Sequence, residues 1–458
     1  LPGAQAFVVD EAHQLPDLAA QFFGEGLGAR PLVELARDAV GECKHVSASM
    51  ATVQPAAQRL EHATRVLRAA MESLPTRGTR GRALHEAPVR DACEQMLEAL
   101  QGFVETMAPL RDASPGFDAC HARAQDFGGR LRRWLEMPEA ADYYGSDDDV
   151  DVDPDDAPSN DRSGDVLWYE LTPRGFRLQR TPLDVSGPLR EHRERSLAAW
   201  VFTSATLSVA GGFEHLRARL GLDAPATLIE PSPFDWNAQA LCYLPPRMPE
   251  PMSRDYGHAV IDALTPVLEA SNGRAFVLFA SHRALREAAE ALRGGPWPLF
   301  VQGDAPRHVL LQRFRESGNG VLLGAASFRE GVDVAGEALS VVVIDKLPFA
   351  APDDPVFEAR LDAIRRAGGN PFRDEQLPQA VIALKQGVGR LIRSETDRGV
   401  LVLCDPRLLG KSYGRVFFES LPPFARTREV GDVAAFFATP PSAAASLESP
   451  AMPASDAP

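Results

Sequence analysis

The sequence predicts an α/β protein built on parallel sheets, with a helical block inserted near its N-terminal end. From about Gln239 onward, short apolar runs such as "AFVLFAS" and "GVLLGAASF" alternate with amphipathic segments such as "HRALREAAEALRG". Alternation of this kind is typical of βαβ units and a parallel sheet. From about Pro31 to Pro138, apolar residues instead recur at helical spacing and strand formers are few, which indicates a helical domain.

The individual elements follow the same patterns in chain order. Residues 5 to 10 predict a buried strand, and "EAHQLPDLAAQFFG" predicts a turn into a helix. In the helical block, "AQRLEHATRVLRAAMESL" and "VRDACEQMLEALQGFVETMAPL" carry apolar residues at i, i+3, i+4 and i+7. "VLWYELT" and "GFRLQRTPL" predict a hairpin, and "LAAWVFTSATLS" is an apolar run that ends in small polar residues. Further strands are expected in "PLFVQG", "LSVVVIDKLPF" and "GVLVLCDPRL".

Composition narrows the class of protein. The chain has 458 residues and a net charge of −15, and this length is enough for roughly two to four domains. Residues 146–165 hold nine Asp and one Arg, so about half of the net charge lies in one segment that is expected to be a solvated loop. Arginine clusters such as "RLRRW" and "RLIRSETDR" leave room for a basic groove that binds nucleic acid.

Several classes are disfavoured. No apolar run reaches the roughly 18 residues that a membrane span needs, and the start "LPGAQAFVVD" lacks the basic region of a signal peptide. The five cysteines are scattered and odd in number, which fits a reducing cytoplasm rather than a disulfide framework. A zinc site from Cys43, His45, Cys120 and His121 is conceivable, but scattered core thiols are the favoured interpretation.

An acid pair follows the first predicted strand, in Asp10-Glu11-Ala12-His13. Carboxyl ends of parallel strands form the ligand crevice of an open α/β sheet, so Asp10 is well placed there to hold Mg²⁺ through water. Glu11 can then polarise an attacking water or accept its proton. The competing interpretation is a capped helix start with acids in its first turn. The preceding "FVV" favours the metal site because it supplies the strand that this role requires.

Two weaker motifs also follow predicted strands. In "TSATL", residues 203–207, the hydroxyls of Ser204 and Thr206 can hydrogen-bond a neighbouring carboxylate, although a plain turn with a hydroxyl N-cap explains the segment by itself. In "FREGVDVAG", residues 328–336, Gly331 permits close backbone approach. There Glu330 and Asp333 can accept hydrogen bonds from a ribose or an arginine, and the simpler interpretation is a turn between strands.

The strongest single motif is "QGVGRLIRS", residues 386–394. Gln386, Arg390 and Arg393 are spaced i, i+4 and i+7, which predicts that they share one helix face. Two arginines on one face suit a phosphate or a developing phosphoryl charge. The alternative is a solvated basic stripe, but the apolar residues between the arginines are expected to pack inward and a strand follows at once.

Taken in order, these motifs resemble the DinG/XPD-like branch of superfamily 2 DNA helicases, of the bacterial YoaA/DinG type. Further family-typical stretches are "EPSPFDWNAQALCYLP", "VLFASHRALR", "FVQGD", "FREGVDVAGEALSVVVIDKLPFAAPDDPV", "GGNPF" and "ALKQGVGRLIRSETDRGVLVLCDPRLLGKSYGRVFFESLPP". The resemblance covers nearly the whole chain apart from the helical block and the tail. It implies two RecA-like parallel-sheet motor lobes, the first incomplete, with an inserted helical arch domain that helps to enclose single-stranded DNA.

The resemblance also implies domain boundaries. Residues 1–30 and 166–237 would belong to motor lobe 1, residues 31–165 to the arch-like insertion ending in the acidic loop, and residues 238–438 to motor lobe 2. Residues 439–458, "TPPSAAASLESPAMPASDAP", are rich in Pro, Ala and Ser and are expected to form a disordered tail.

Residue roles follow from the same resemblance. Asp10 and Glu11 are expected to serve Mg²⁺ and water activation, His13 and Gln386 to couple the two lobes, and Arg390 and Arg393 to reach the γ-phosphate of an ATP held in the cleft between the lobes. Residues expected to bind ATP or couple its hydrolysis are Ser204, Thr206, Glu330, Gly331 and Asp333. Residues expected to contact DNA are Ser281, Arg283, Gln302 and Arg329. Arg329 stands where family members often have Trp, and a cation there is expected to contact phosphate.

Two parts of the family pattern do not occur in this sequence. A phosphate loop needs a glycine five residues before Gly-Lys-[Ser/Thr]; before the "GKS" at Gly410-Lys411-Ser412 that position is Asp405, and the tripeptide follows the arginine motif. A [4Fe–4S] cluster is implied only for a segment upstream of Asp10, since no cysteine here has the required spacing. Because the chain also lacks an initiator Met, we expect it to be a C-terminal fragment that is inactive by itself.

The leading hypothesis is therefore an ATP-dependent DNA helicase of the cytoplasm, with 5′-to-3′ movement on single-stranded and forked DNA in repair or replication. Its implied cofactors are ATP and Mg²⁺, and no membrane partner is expected. The alternative is a non-catalytic DNA-binding or regulatory protein that has lost its phosphate loop. The intact set of Asp10, Glu11, Arg390 and Arg393 favours the motor.

Overall fold

The computed structural model describes residues 3–44, 46, 50–136, 164–196, 198–325, 328, 338–350 and 354–439. The chain divides into two units. Unit 1 comprises Leu1–Ala205, Glu214–Pro225 and Ala351–Glu375, and unit 2 comprises Thr206–Phe213, Ala226–Ala350 and Gln376–Pro458. The acidic segment within 146–163 and the tail 440–458, for which the sequence predicts a solvated loop and disorder, lie outside the described residues.

The strands in the described part of the chain are β1 Ala6–Val9, β2 Glu25–Gly28, β3 Arg77–Thr79, β4 Asp165–Thr172, β5 Gly175–Pro182, β6 Ala199–Phe202, β7 Ala240–Tyr243, β8 Ala275–Phe279, β9 Leu299–Val301, β10 Val321–Ala325, β11 Val341–Ile344, β12 Gly399–Leu403 and β13 Ala425–Thr427. The expected strands, including the hairpin β4–β5, are confirmed as strands. The prediction that the first strand is buried is wrong, because the residues of β1 are exposed or only partly buried and β6 is its one strand partner among the described residues.

The helices in the same residues are α1 Leu15–Phe23, α2 Ala29–Glu42, α3 Met50–Ala70, α4 Arg80–His85, α5 Ala87–Met107, α6 Pro115–Glu136, α7 Ser186–Glu194, α8 Glu214–Leu220, α9 Trp236–Gln239, α10 Tyr256–Ser271, α11 His282–Leu292, α12 Arg307–Ser317, α13 Pro355–Arg366, α14 Leu377–Val388, α15 Arg407–Gly410, α16 Gly414–Ser420 and α17 Val430–Ala438. A 3₁₀ turn, Ala12–Gln14, precedes α1, and a π-helical turn, Phe372–Gln376, runs directly into α14.

Unit 1 brings the first predicted strand beside a strand that follows the helical block. β1 and β6 pair in parallel, with Val9 opposite Phe202. Both strands therefore end at the same edge, and the motifs that follow them, Asp10-Glu11 and Thr203-Ser204, leave the sheet side by side. The outward side chains of Val8 and Val201 are 68% and 46% exposed.

The rest of unit 1 is dominated by a helical and antiparallel domain. α2, α3, α5 and α6 pack against one another through apolar residues that recur at helical spacing, among them Leu60 and Leu67 of α3. β2, β5, β4 and β3 form an antiparallel sheet in that order. Its buried Leu167, Tyr169 and Leu178 belong to the same core as the helices.

The hairpin β4–β5 therefore packs with the helical block, although the sequence analysis groups residues 166–237 with motor lobe 1. The physical reason is the alternation of apolar side chains along the hairpin, which gives it one face that must be covered, and the apolar stripes of the helices cover it. The domain boundaries expected from the sequence otherwise remain a prediction.

Unit 2 is an open parallel sheet with the order β13-β7-β12-β11-β8-β10-β9, and all of its pairs are parallel. The central strands β8, β10, β11 and β12 are buried along their full length, which is the reason that they appear in the sequence as continuous apolar runs. The α/β class with parallel sheets and a helical insertion is thus confirmed. Within the described residues, no helix combines the length and apolar character needed to cross a membrane.

Candidate nucleotide site

Two carboxylates and two hydroxyls meet at the carboxyl ends of β1 and β6. Thr203 Oγ1 donates to Asp10 Oδ1 at 2.8 Å, and Ser204 Oγ donates to Glu11 Oε2 at 2.6 Å. Backbone bonds hold the two segments in register, since Thr203 N donates to the carbonyl of Val9 and Ala12 N donates to that of Thr203. The hydroxyl motif, for which a plain turn was the simpler interpretation, is therefore part of the acid site.

The backbone at Glu11 is in the left-handed region, with φ of 51°. A non-glycine residue in this region costs on the order of 1 kcal/mol or more, and such residues cluster at functional sites. The conformation turns the chain sharply out of β1 into the 3₁₀ turn, which places the Glu11 carboxylate beside Ser204.

His13 completes this group within unit 1. Its Nδ1 lies 3.1 Å from Ser204 Oγ and 3.3 Å from Glu11 Oε2, and its side chain is only 8% exposed. The imidazole and the hydroxyl thus share one carboxylate oxygen, which restricts the orientation of the Glu11 carboxylate. Sequence reasoning singled out Asp10, Glu11, His13 and Ser204. The hydroxyl motif that it identified begins at Thr203, but Thr203 was not among the expected site residues.

The donor set at Asp10 fits a magnesium ion held largely through water. Asp10 Oδ1 accepts the Thr203 hydroxyl, and no basic side chain of the described residues lies within ion-pair distance of this carboxylate. Mg²⁺ is usually bound by one or two carboxylates together with waters and substrate phosphates. No cluster of three or more His, Cys, Asp or Glu side chains in the described residues is arranged to hold an ion by itself.

A partly buried ion-pair network contacts the helix that follows the acid motif. Arg219 Nη2 of α8 donates to Asp17 Oδ1 of α1 at 2.6 Å, and Arg360 Nη1 of α13 donates to Glu375 Oε1 at 3.0 Å. His215 Nδ1 lies 3.6 Å from Glu375 Oε2; burial lowers the pKa of this imidazole, while the Glu375 charge opposes the shift. Sequence reasoning missed the network because its members come from three distant segments.

The arginine motif of unit 2 is not one helix face, and that prediction is wrong. α14 ends at Val388, so Gln386 is helical while Arg390 lies in a turn and Arg393 in irregular structure. Glycines at 387 and 389 weaken the helix at this point, and Gly387 lies in a tightly packed position, where a Cβ would lie 3.2 Å from Ile344 Cδ1. The expected inward packing is confirmed, since Leu391 and Ile392 are 1% and 2% exposed.

A turn after the motif fixes the backbone at Arg393. Asp397 Oδ2 accepts hydrogen bonds from the amides of Arg393 and Ser394 at 2.8 and 2.9 Å. Gln239 Nε2 donates to the carbonyls of Ser394, Glu395 and Asp397. Gln239 was not singled out in the sequence because its contacts join distant segments. Asp397 was missed although its hydrogen bonds are local.

The remaining motif of unit 2 is only partly described. Arg329, Glu330, Gly331 and Asp333 lie outside the described residues. Phe328 beside them is 5% exposed, and the guanidinium of Arg307 lies over its ring at 5.2 Å.

The other expected DNA contacts have local structural roles. Ser281 accepts a hydrogen bond from Ala284 N as the N-cap of α11, Arg283 pairs with Glu287 at 2.8 Å, and Gln302 Oε1 accepts from the amide of Ala325 at 2.7 Å. Ser281 and Gln302 follow β8 and β9 and lie at the carboxyl edge of the sheet. Thr206 is buried in unit 2.

Two buried aspartates follow the central strands β11 and β12. Asp345 Oδ1 accepts from the amides of Ala280 and Lys346 at 2.8 and 2.6 Å, and burial raises the pKa of Asp345 to about 7. Asp405 accepts from Leu347 N and from a two-pronged Arg407 contact. Sequence reasoning missed both, although an Asp directly after an apolar run, as in "VVVID" and "VLVLCD", was a signal.

The cysteines are core thiols, as expected. All five are buried, and burial, with a smaller contribution from the Glu94 charge, raises the pKa of Cys93 to about 12. His45 of the conceivable zinc set lies outside the described residues.

Comparison with known proteins places the chain among helicases. The Helicase C-terminal domain family matches residues 264–424. The ATP-dependent DNA helicase YoaA of Escherichia coli (strain K12) is 38% identical over 443 residues, which cover 96% of this chain and 66% of that protein. The ATP-dependent helicase DinG of Mycobacterium tuberculosis (strain ATCC 25618 / H37Rv) is 37% identical over 291 residues, which cover 61% of this chain and 43% of that protein.

A solved structure agrees in fold. The S. tokodaii Xpd4 structure superposes with a TM-score of 0.51 at 15% identity, covering 92% of this chain and 75% of that chain. The chain spans 66% of the length of its E. coli relative. Sequence similarity over nearly all of its residues, with a fold in agreement, shows that the chain belongs to the DinG/XPD-like branch of superfamily 2 helicases.

Proposed function

We propose that this chain forms part of an ATP-dependent DNA helicase that moves 5′-to-3′ along single-stranded DNA and opens forked DNA. The observation that carries the proposal is the group at the ends of β1 and β6, where Thr203 and Ser204 hold Asp10 and Glu11. Phosphoryl transfer depends mainly on positioning and charge stabilisation, and carboxylates fixed on paired strands supply the positioning. The names of the relatives from E. coli and M. tuberculosis, ATP-dependent DNA helicase and ATP-dependent helicase, support the same activity.

The carboxylates have separate proposed roles. Magnesium, when bound, supplies charge neutralisation at the β- and γ-phosphates, and Asp10 would hold it through water. Glu11 would orient the attacking water. Its Oε2 is occupied by Ser204, whereas its Oε1 accepts no hydrogen bond from the described residues, so Oε1 is the atom that would accept from that water.

The remaining expected residues keep their proposed roles. Arg390 and Arg393 would stabilise charge on the γ-phosphate, and His13 and Gln386 would couple nucleotide state to movement. The residues proposed to bind nucleotide or couple its hydrolysis are Ser204, Thr206, Glu330, Gly331 and Asp333. The residues proposed to contact DNA are Ser281, Arg283, Gln302 and Arg329. We assign the protein to the cytoplasm and to DNA repair or replication.

The proposal is tested with Glu11→Gln in the full-length protein that contains this chain. DNA-stimulated ATP hydrolysis should fall by about 10²- to 10⁴-fold, the usual contribution of a positioned acid–base group, while single-stranded DNA is still bound. Glu98→Gln is the matched control, because Glu98 is exposed on α5 and forms no ion pair with the described residues. Equal ATP hydrolysis by the two variants would contradict the role of Glu11.

A second candidate function is a non-catalytic DNA-binding or regulatory protein. It is favoured by one observation, the lack of a G-x-x-x-x-G-K-[ST] phosphate loop anywhere in the 458 residues. The same assay separates the two candidates, since a wild-type full-length protein that binds DNA but hydrolyses no ATP would establish the second.

A further inference from the structure

Unit 1 contains a large cavity away from the acid site. Its volume is about 1210 Å³, and it is bounded by β2, the first turns of α2, the second half of α3 and the turn between β4 and β5. Pockets for a single small molecule usually have about 300 to 1,000 Å³. The cavity is therefore large enough for an extended ligand.

Arginines dominate its lining. Six of them line the cavity, against two acids, Glu34 and Glu72; they are Arg30, Arg37, Arg65, Arg68, Arg174 and Arg177. Arg30 is paired with Glu34 at 2.7 Å, and the contacts of Arg37 and Arg177 with acids are longer, at 3.9 and 3.7 Å.

Three of these guanidinium groups have no carboxylate partner. Arg65, Arg68 and Arg174 form no ion pair with any described residue. Arg68 Nη2 donates to the carbonyl of Thr172 at 3.2 Å, which directs this side chain to the β4–β5 turn. Its Nε is buried without a hydrogen-bond partner among the same residues. A buried donor without an acceptor is costly, and an anionic ligand would supply the acceptor.

The floor of the cavity is formed by strand β2 and the start of α2. Gly26 and Gly28 occupy alternate positions of β2, so they lie on one face of the strand. A Cβ at Gly26 would lie 2.7 Å from Gln179 Oε1, so the Gln179 side chain, which also lines the cavity, covers the backbone there. α2 begins at this floor with no side chain capping its N-terminus and no acid in its first turn, so its amide dipoles add to the positive field of the arginines.

We propose that this arginine-lined cavity binds the phosphodiester backbone of a DNA strand, as a contact separate from the motor residues. The inference rests on the proposed DNA substrate. Excess guanidinium groups and free amide donors match a run of phosphates. The one aromatic residue of the lining, Phe176, is 2% exposed and offers no surface for base stacking, so binding at this cavity is independent of base sequence.

The test uses the double variant Arg65→Ala/Arg174→Ala. Both side chains are exposed and neither forms an ion pair with the described residues, so the fold does not depend on them. The matched control is Arg59→Ala/Arg82→Ala, which removes the same charge from exposed positions of the same domain outside the cavity. Fluorescence anisotropy of labelled oligo(dT) and oligo(dA) gives the affinity of the full-length protein, without ATP, over a range of salt concentrations.

Each phosphate contact on a single strand contributes about 0.7 to the slope of log K against log salt, so the cavity variant should lose about 1.4 from that slope. Between 50 and 200 mM salt, its affinity should fall about 7-fold less than that of the wild type. The control should keep the wild-type slope. Equal loss with oligo(dT) and oligo(dA) is expected for a backbone contact.

Three results would overturn the proposal. Equal slopes for the cavity variant and the control would show that DNA does not enter the cavity. A loss that differs between the two oligonucleotides would assign base contacts instead. Loss of inorganic phosphate binding in calorimetry, with DNA binding intact, would make the cavity a site for free phosphate. If the wild type bound neither oligonucleotide, the proposed DNA substrate would fail as well. If Glu11→Gln left ATP hydrolysis unchanged but the cavity variant lost its salt dependence as expected, the proposed DNA contact at the cavity would stand.

Discussion

Ser204→Ala tests whether the hydroxyl motif positions the Glu11 carboxylate for its proposed role. The change removes the donor that lies 2.6 Å from Glu11 Oε2 and also the contact with His13 Nδ1 at 3.1 Å. Without them the Glu11 carboxylate can rotate away from the position in which it orients water. Because the lost hydrogen bond is to the Glu11 carboxylate and not to the nucleotide, we expect kcat to fall while KM for ATP changes little.

The expected size follows from the bond. A hydrogen bond to a charged group is worth about 1.5 to 3 kcal/mol. The side chain of Glu11 is 57% exposed, so water replaces part of the lost bond, and the lower end of this range applies. About 1.4 kcal/mol corresponds to a tenfold change in rate. Ser204→Ala should therefore reduce kcat of the full-length protein about 10-fold.

The assay is DNA-stimulated ATP hydrolysis as a function of ATP concentration, together with DNA affinity at fixed salt. Ser196→Ala is the matched control, because Ser196 precedes the amino end of β6 and its hydroxyl accepts only from the amide of Ala198. The reasoning is refuted if the two variants share the same kcat, or if Ser204→Ala changes KM alone.

Four other predictions follow from the sequence and the structure. In the full-length protein, Arg393→Ala should reduce ATP hydrolysis by about 10³- to 10⁵-fold with DNA affinity largely kept. Arg393→Lys should also be impaired, because lysine lacks the planar guanidinium group. A variant that keeps ATP hydrolysis but loses DNA affinity would make Arg393 a DNA contact. Since the pKa of Asp345 is raised to about 7, the folded state binds more protons at this group than the unfolded state between about pH 4 and 7. Stability should therefore fall as pH rises through that window, and Asp345→Asn should flatten this dependence in urea unfolding; an unchanged profile would contradict it. Arg360→Met should lower the free energy of unfolding by about 3 to 5 kcal/mol, because Glu375 is 3% exposed and would lose its guanidinium partner. The control variant Arg366→Met, at an exposed position, should leave the free energy of unfolding nearly unchanged. Equal stability of the two variants would show that the Arg360–Glu375 pair is unimportant. The purified 458-residue chain by itself should hydrolyse ATP negligibly, since its sequence supplies no phosphate loop; DNA-stimulated turnover would refute this.

Features that depend on local periodicity were predictable from the sequence. Buried parallel strands such as β8 and β12 appear as continuous apolar runs, and the helices α3 and α5 appear as stripes at helical spacing. Asp10 and Glu11 were identifiable because the strand that presents them is adjacent in sequence. The same ordered motifs also predicted the family.

Local spacing misled at the arginine motif. Gln386, Arg390 and Arg393 have helical spacing, yet α14 ends at Val388. The spacing rule contains no information about the close packing at Gly387, or about Asp397, whose carboxylate accepts hydrogen bonds from the backbone of the following turn. Helix length at this point is decided by contacts that the motif itself does not include.

By itself, the sequence determined the α/β class, the parallel sheet of unit 2, the amphipathic helices and the acid pair at the end of β1, because each depends on residues that are neighbours in the chain. Only the tertiary structure decided that Thr203 and Ser204 hold Asp10 and Glu11 from more than 190 residues away, and that arginines of α2, α3 and β5 line one cavity. The physical reason is that parallel strand pairing and core packing join segments whose separation in the sequence carries no periodic signal.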